Sequence, residues 1–197
     1  MSTDGVDKNK RRFLIAATSV VGGVGAAFVA VPFLKYWSPS AKARAAGAPV
    51  EVDFSKLQPG QQMTVLWQKK PVWILRRTQE TLATLASNRD HLADPDSAQS
   101  KQPDYIKGDA RSSNPEYLVA VGICTHLGCS PTYRPELAPA DLGPDWKGGF
   151  FCACHGSKFD LSGRVFAGVP APINLEVPAY KYLSDPSLII GVDEGAA

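Results

Sequence analysis

All four cysteines of this 197-residue chain and two of its three histidines fall in two six-residue boxes, Cys124-Thr125-His126-Leu127-Gly128-Cys129 and Cys152-Ala153-Cys154-His155-Gly156-Ser157. A chain that concentrates its soft donors in this way can use them together only if its fold brings the two boxes face to face. The patterns Cys-x-His and Cys-x-x-His suit a tetrahedral metal ion or an iron-sulfur cluster. Two Cys and two His leave two candidates open. One is a closed structural zinc site. The other is a [2Fe-2S] centre in which two Cys hold one iron and two His hold the other. Zinc modules usually keep a Cys-x-x-Cys pair apart from a pair of histidines. Here each box supplies one of each kind, as a binuclear cluster asks, because each loop then gives sulfur to one iron and nitrogen to the other.

On these residues the chain resembles the Rieske iron-sulfur protein family, whose respiratory branch carries C-T-H-L-G-C and C-P-C-H-G-S; only Ala153 departs from that pattern. The resemblance implies one [2Fe-2S] cluster, with Cys124 and Cys152 on the inner iron and His126 and His155 on the outer one. It also implies a disulfide between Cys129 and Cys154, against the alternative of two free thiols. By the same resemblance His155 is the quinol-facing ligand, Leu127 packs against the membrane subunit that houses the quinol, and Ser157 donates a hydrogen bond to a bridging sulfide. Where many relatives have a Tyr that donates to a cysteine sulfur, this chain has Phe159. Gly168-Val169-Pro170-Ala171-Pro172 resembles the family's Gly-Pro-Ala-Pro loop over the cluster, with Val169 as an extra residue between Gly168 and Pro170.

Two neutral imidazoles in place of two thiolates make such a centre less negative and raise its potential, and hydrogen bonds to sulfur raise it further. An iron-bound imidazole keeps one ring N–H, whose proton leaves more readily beside ferric iron. Electron and proton uptake are thereby coupled at one residue.

A persistent disulfide argues for an oxidising compartment, so the boxes must be carried out of the cytoplasm. Residues 1–12 are polar and end in Lys8, Lys10, Arg11 and Arg12, after which Phe13 to Leu34 runs 22 residues without a charge. At about 1.5 Å per residue that is about 33 Å of helix, enough for a hydrocarbon core of about 30 Å. A removed signal peptide has a shorter apolar stretch and a small-residue cleavage site. Ala41-Lys42-Ala43 and Ala43-Arg44-Ala45 offer such sites, so anchor and cleaved signal both stay open, with length favouring the anchor. Lys10-Arg11-Arg12-Phe13-Leu14 resembles a twin-arginine export signal, with Lys10 where Ser or Thr is usual. The same residues also serve as a positive-inside flank. Export of a folded domain suits a cluster assembled before translocation. Gly22-Gly23-x-Gly25 permits close packing against another span, or is lipid-facing small residues.

Ser38 to Pro49 is small, polar and coreless, able to reach about 40 Å when extended. A passive spacer and a hinge fit equally, and the family's heads, thought to swing between a quinol site and a c-type cytochrome, tip this toward a hinge. With 17 Gly and 16 Pro the rest predicts a turn-rich, mainly β head. Strands are expected at Val50–Phe54, Met63–Trp67, Val72–Arg77 (after a Lys69-Lys70-Pro71 hairpin), Tyr117–Ile123, Tyr180–Leu183 and Leu188–Val192, the last two across an Asp185-Pro186 turn. A short helix capped by Thr78 covers Glu80–Ser87, and His91 follows as a surface residue. Asp94–Pro115 reads as a long surface insertion, Pro131–Gly149 as a loop, and Phe159–Arg164 as a turn into a further strand.

The expected organisation is a cytoplasmic N-terminus with a twin-arginine signal over 1–12, a transmembrane helix over 13–34, a flexible tether over 35–49 and a head over 50–197. By resemblance the head is a Rieske-type antiparallel base fold with a cluster-binding subdomain at about 118–172. Within the family the resemblance is to subunits of bacterial ubiquinol:cytochrome c oxidoreductases, whose isolated chain has no activity. It implies transfer of an electron, with a coupled proton, from ubiquinol to a c-type haem, contributing to the proton gradient. The implied partners are cytochrome b and a c-type cytochrome in a dimeric complex of the inner membrane, with the head on the periplasmic side. A net charge of +2 without a basic stripe argues against nucleic acid. The competing readings are the small subunit of an arsenite-oxidase-like complex, a soluble ferredoxin serving a ring-hydroxylating oxygenase, and the zinc module.

Overall fold

The computed structural model describes residue 5, residues 7–184 and residues 186–193, and it divides into two units, Met1–Ala45 and Ala46–Ala197.

In the first unit, helix α1 runs Lys8–Tyr36. The Asp7 carboxylate accepts from the backbone N–H of Asn9 and Lys10 and so satisfies two of the donors a helix start leaves open. Phe13, Val21, Phe28 and Phe33 are all exposed, so apolar side chains point outward all round, as a lipid-solvated helix requires. The Thr18 hydroxyl donates back to the Leu14 carbonyl at 2.7 Å and keeps its polar group inside the helix. Among the described residues this is the one helix long and apolar enough to cross a membrane. Beyond it, helix α2, Ala41–Ala46, begins where Ser40 Oγ accepts the Ala43 N–H, so part of the expected tether is a capped turn of helix.

The second unit contains, in chain order, β1 Val50–Asp53, β2 Gln62–Trp67, β3 Lys70–Arg76, α3 Gln79–Ser87, β4 Tyr117–Val121, β5 Thr132–Leu137, β6 Lys147–Cys152, β7 Ser157–Asp160, β8 Tyr180–Ser184 and β9 Ser187–Ile190. They form three antiparallel sheets, ordered β1-β9-β8, β2-β3-β4 and β5-β6-β7. The middle sheet is the shared layer, because strand side chains alternate between faces. Val72 and Ile74 of β3, with Val119 and Val121 of β4, enter one core with Phe54, Tyr180, Leu188 and Ile190. Trp73 and Leu75, with Leu118 and Ala120, enter a second core with Phe150, Phe159, Leu175 and the sulfurs of Cys124 and Cys152. Burial on both faces explains why β3 and β4 read as continuous apolar runs.

Four expectations are corrected. The β2–β3 turn is Gln68-Lys69, both with positive φ (51° and 62°) as a two-residue type I′ hairpin requires; Lys70 and Pro71 already belong to β3. Residues 131–149 are loop only over 138–146: β5 and the start of β6 pair on either side of it, with a register shift between Arg134 and Leu137. No strand begins directly after Arg164, where only isolated bridges form, Phe159 to Val165 and Leu92 to Phe166. Asp185, half of the expected final turn, lies outside the described residues.

The fourth correction concerns 94–115, which is woven into the interior. Ile106 and Arg111 are buried there. Arg77 donates to the carbonyls of Ala110 (2.8 Å) and Pro115 (2.9 Å) and to Ser112 Oγ (2.7 Å). Arg164 pairs with the buried Asp160 carboxylate at 2.8 Å and with Asp109 at 2.6 Å. Burial pulls both Arg77 and Arg111 down to about 10, which leaves them charged at neutral pH and dependent on these partners. A polar composition therefore marked internal hydrogen bonding rather than surface. The helix capped by Thr78 and the exposed His91 are as expected.

Candidate metal centre

Both boxes are built on one local plan. The Gly128 N–H closes on the Cys124 carbonyl at 3.0 Å, and the Gly156 N–H on the Cys152 carbonyl at 2.9 Å. Each loop is thus a turn of five residues from Cys to Gly, and each glycine takes a positive φ, 87° and 79°, that a side chain would strain. The first box continues from β4 and the second is the connection from β6 to β7, so two sheets deliver the loops. Cys124 N–H also donates to the Cys129 carbonyl at 2.7 Å, which pins the ends of the first box together.

The donors come together in pairs, sulfur near sulfur and imidazole near imidazole. Cys124 and Cys152 are free thiols, 3% and 2% exposed. Burial pushes the Cys152 thiol up, and its hydrogen bond with Cys124 pushes it the same way. The rings of His126 and His155 stand edge to face with centroids 4.7 Å apart. His155 is exposed and His126 half-buried. His126 Nδ1 is buried and has no hydrogen-bond partner among the described residues. Such an orphaned nitrogen, on the loop that carries Cys124, is what a metal ligand leaves behind, so the chemistry of the donor set fits a cluster held by two sulfurs and two nitrogens.

Cys129 and Cys154 form a disulfide joining the two loops. The sulfurs of Cys129, Cys152 and Cys154 lie within 4.8 Å of one another. Two of the three are occupied by the disulfide, so this trio is no ligand set and instead places the bridge directly against Cys152.

Around the donors, Ser157 is fully buried and its Oγ accepts the Ala171 N–H at 3.1 Å. Its own O–H has no acceptor among the described residues. Phe159 is buried in the core that holds Cys124 and Cys152, while Leu127 is 71% exposed beside the histidines in sequence. Gly168, Pro170 and Pro172 are exposed, and the additional Val169 packs inward against the second core. Thr125 Oγ1 donates to the Ile173 carbonyl at 2.6 Å, tying the first box to this proline loop. Asn174 and Arg111 are contributors that the sequence reading missed: nothing in residue type or spacing marked them, although the turn Asp160-x-Ser162-Gly163-Arg164 marked the place they reach.

Comparisons with known proteins find matches to both parts of the chain. A family model described as Rieske [2Fe-2S] domain matches residues 106–181, and one described as Ubiquitinol-cytochrome C reductase Fe-S subunit TAT signal matches residues 1–40. The chain is 61% identical over 197 residues to the ubiquinol-cytochrome c reductase iron-sulfur subunit of Allochromatium vinosum, covering 100% of this chain and 95% of that one. It is 41% identical over 183 residues to the same-named subunit of Bradyrhizobium diazoefficiens, covering 92% and 94%.

Proposed function

The chain belongs to the family of ubiquinol-cytochrome c reductase iron-sulfur subunits, with a Rieske [2Fe-2S] domain in its head, and from that premise we propose how its residues serve electron transfer from ubiquinol toward a c-type cytochrome. The arsenite-oxidase-like, ferredoxin and zinc readings fall with the family assignment.

Cys124 and Cys152 would hold one iron, and His126 and His155 the other, with the unpartnered Nδ1 as the ligand atom of His126. Bound there, a [2Fe-2S] cluster supplies one-electron redox chemistry at a potential raised by its two neutral nitrogen ligands. The buried cysteines keep water from the sulfur side. His155 is exposed, and once its second ring nitrogen has lost its proton beside ferric iron it accepts a hydrogen bond from the quinol hydroxyl and takes that proton as the electron arrives. Leu127 offers the apolar contact to the cytochrome b subunit beside it. Ser157 directs its free O–H to the sulfurs, and Gly168, Pro170 and Pro172 form the cover on the other flank.

The finer organisation follows from the same premise. Residues 1–12 stay on the cytoplasmic side as signal and basic flank, 13–34 span the membrane, 35–49 tether, and the head over 50–197 works on the periplasmic side, where the Cys129–Cys154 disulfide persists. The partners are cytochrome b and a c-type cytochrome in a dimeric complex.

One observation carries the ligand assignment: each loop supplies one buried free thiol and one imidazole, and the two imidazoles stand 4.7 Å apart, one with a buried unpartnered nitrogen. The test is substitution in the membrane complex. Cys124→Ala, His126→Ala, Cys152→Ala and His155→Ala each abolish the reduced-state EPR signal and quinol oxidation, whereas His91→Ala keeps both. A full signal in any of the first four overturns the assignment.

A further inference from the structure

Arg111 has a left-handed backbone, φ 46°, uncommon for a residue with a side chain, and its guanidinium is entirely buried. It donates to the carbonyls of Ser162 (3.0 Å), Gly163 (3.3 Å) and Leu175 (2.8 Å) and to Gln102 Oε1 (2.9 Å). Gly163 and Leu175 are the two ends of the excursion that carries the proline loop, and the Leu175 N–H closes on the Gly163 carbonyl at 2.8 Å. The excursion is therefore a compact surface loop with its ends together, and one planar fork ties the carbonyls on both sides of its neck. Just inside, the buried Asn174 side chain accepts the Val165 N–H at 2.8 Å. At the loop's far side the Ala171 N–H reaches Ser157 Oγ at 3.1 Å.

We propose that Arg111 is a positioning residue for the metal centre: by fixing the neck of the 163–175 loop it seats Ala171 against Ser157 Oγ, and this contact holds the Ser157 hydroxyl proton free for a bridging sulfide of the bound cluster. The proposal rests on the reading of Ser157 as a donor to the cluster. It gives 94–115 a task, since the segment brings the clamp to the loop. Lysine has the same charge but no planar fork to bridge several carbonyls, so clamp and charge are separable by one substitution.

The test is a potentiometric titration of the reduced-state EPR signal in the full membrane complex for wild type, Ser157→Ala, Arg111→Lys and the double variant, with hydrogen exchange over 163–175 as a second measurement. Clamping lowers the midpoint potential in Arg111→Lys, adds no further shift once Ser157→Ala is present, and speeds exchange in the loop. A wild-type potential in Arg111→Lys, an equal drop in both backgrounds, or unchanged exchange overturns the proposal. An unshifted Ser157→Ala overturns the reading of Ser157 instead. Should Arg111→Lys fail to accumulate, Gln102→Leu, which removes the acceptor of Arg111 Nε and leaves the charge, takes its place in the same cycle with the same outcomes.

Discussion

Ala171 N–H and Ser157 Oγ meet at 3.1 Å beside the second box, so one lone pair of a fully buried hydroxyl is committed while its proton finds no acceptor among the described residues. With the proposed cluster bound, that proton would go to a bridging sulfide and stabilise the more negative, reduced state. Ser157→Ala therefore lowers the midpoint potential. A differential hydrogen bond of about 1.4 kcal/mol is tenfold in the one-electron equilibrium, or about 60 mV. A redox titration followed by EPR measures it.

Phe159→Tyr moves the potential the other way. The ring is buried in the core that contains Cys124 and Cys152, and by the family resemblance a hydroxyl at this position donates to a cysteine sulfur. The same titration shows a rise of similar size, about 60 mV; a drop, or no change in a folded variant, refutes this role for the position.

The Cys129–Cys154 bridge closes a sequence separation of 25 residues. Replacing both cysteines by alanine costs about 3.5 kcal/mol in the loop-entropy model. Denaturant unfolding of the oxidised protein reads this directly, and the EPR signal disappears at lower denaturant in the variant.

The ligand boxes and the sandwiched strands were legible because both are local signals. Donor type and spacing survive in any sequence, and burial on two faces writes β3 and β4 as apolar runs. β5 was hidden because it lies at a sheet edge, largely exposed, and holds Pro135, which an edge strand tolerates and a central one does not. The type I′ turn was displaced because Gln68 and Lys69 lack the Asn-Gly signature of that turn. Arg77, Arg111 and Arg164 escaped notice for a deeper reason: a buried guanidinium and a solvated one are the same letter, and only the carbonyls around it tell them apart.

Gly122 shows how tightly the approach to the first box is packed. A Cβ there runs into the Trp73 indole, which stacks on Phe150 with ring centroids 4.8 Å apart. Gly122→Ala destabilises the head by about 1–3 kcal/mol through overpacking, seen as a lower unfolding midpoint with the box residues themselves intact.

Arg11→Lys with Arg12→Lys separates export from orientation. The positive flank is preserved, so insertion by charge alone leaves the head on the far side of the membrane. Dependence on the twin-arginine signal matched over residues 1–40 instead leaves it inside. Protease accessibility of the head in spheroplasts distinguishes the two, and the predicted result is full protection.

Iron and acid-labile sulfide in the purified membrane complex, together with its reduced-state EPR spectrum, bear most directly on the union of the two boxes around one centre. The expected result is two irons and two sulfides per chain with a rhombic signal that vanishes in Cys124→Ala and His155→Ala. Zinc in place of iron, or iron without labile sulfide, contradicts it.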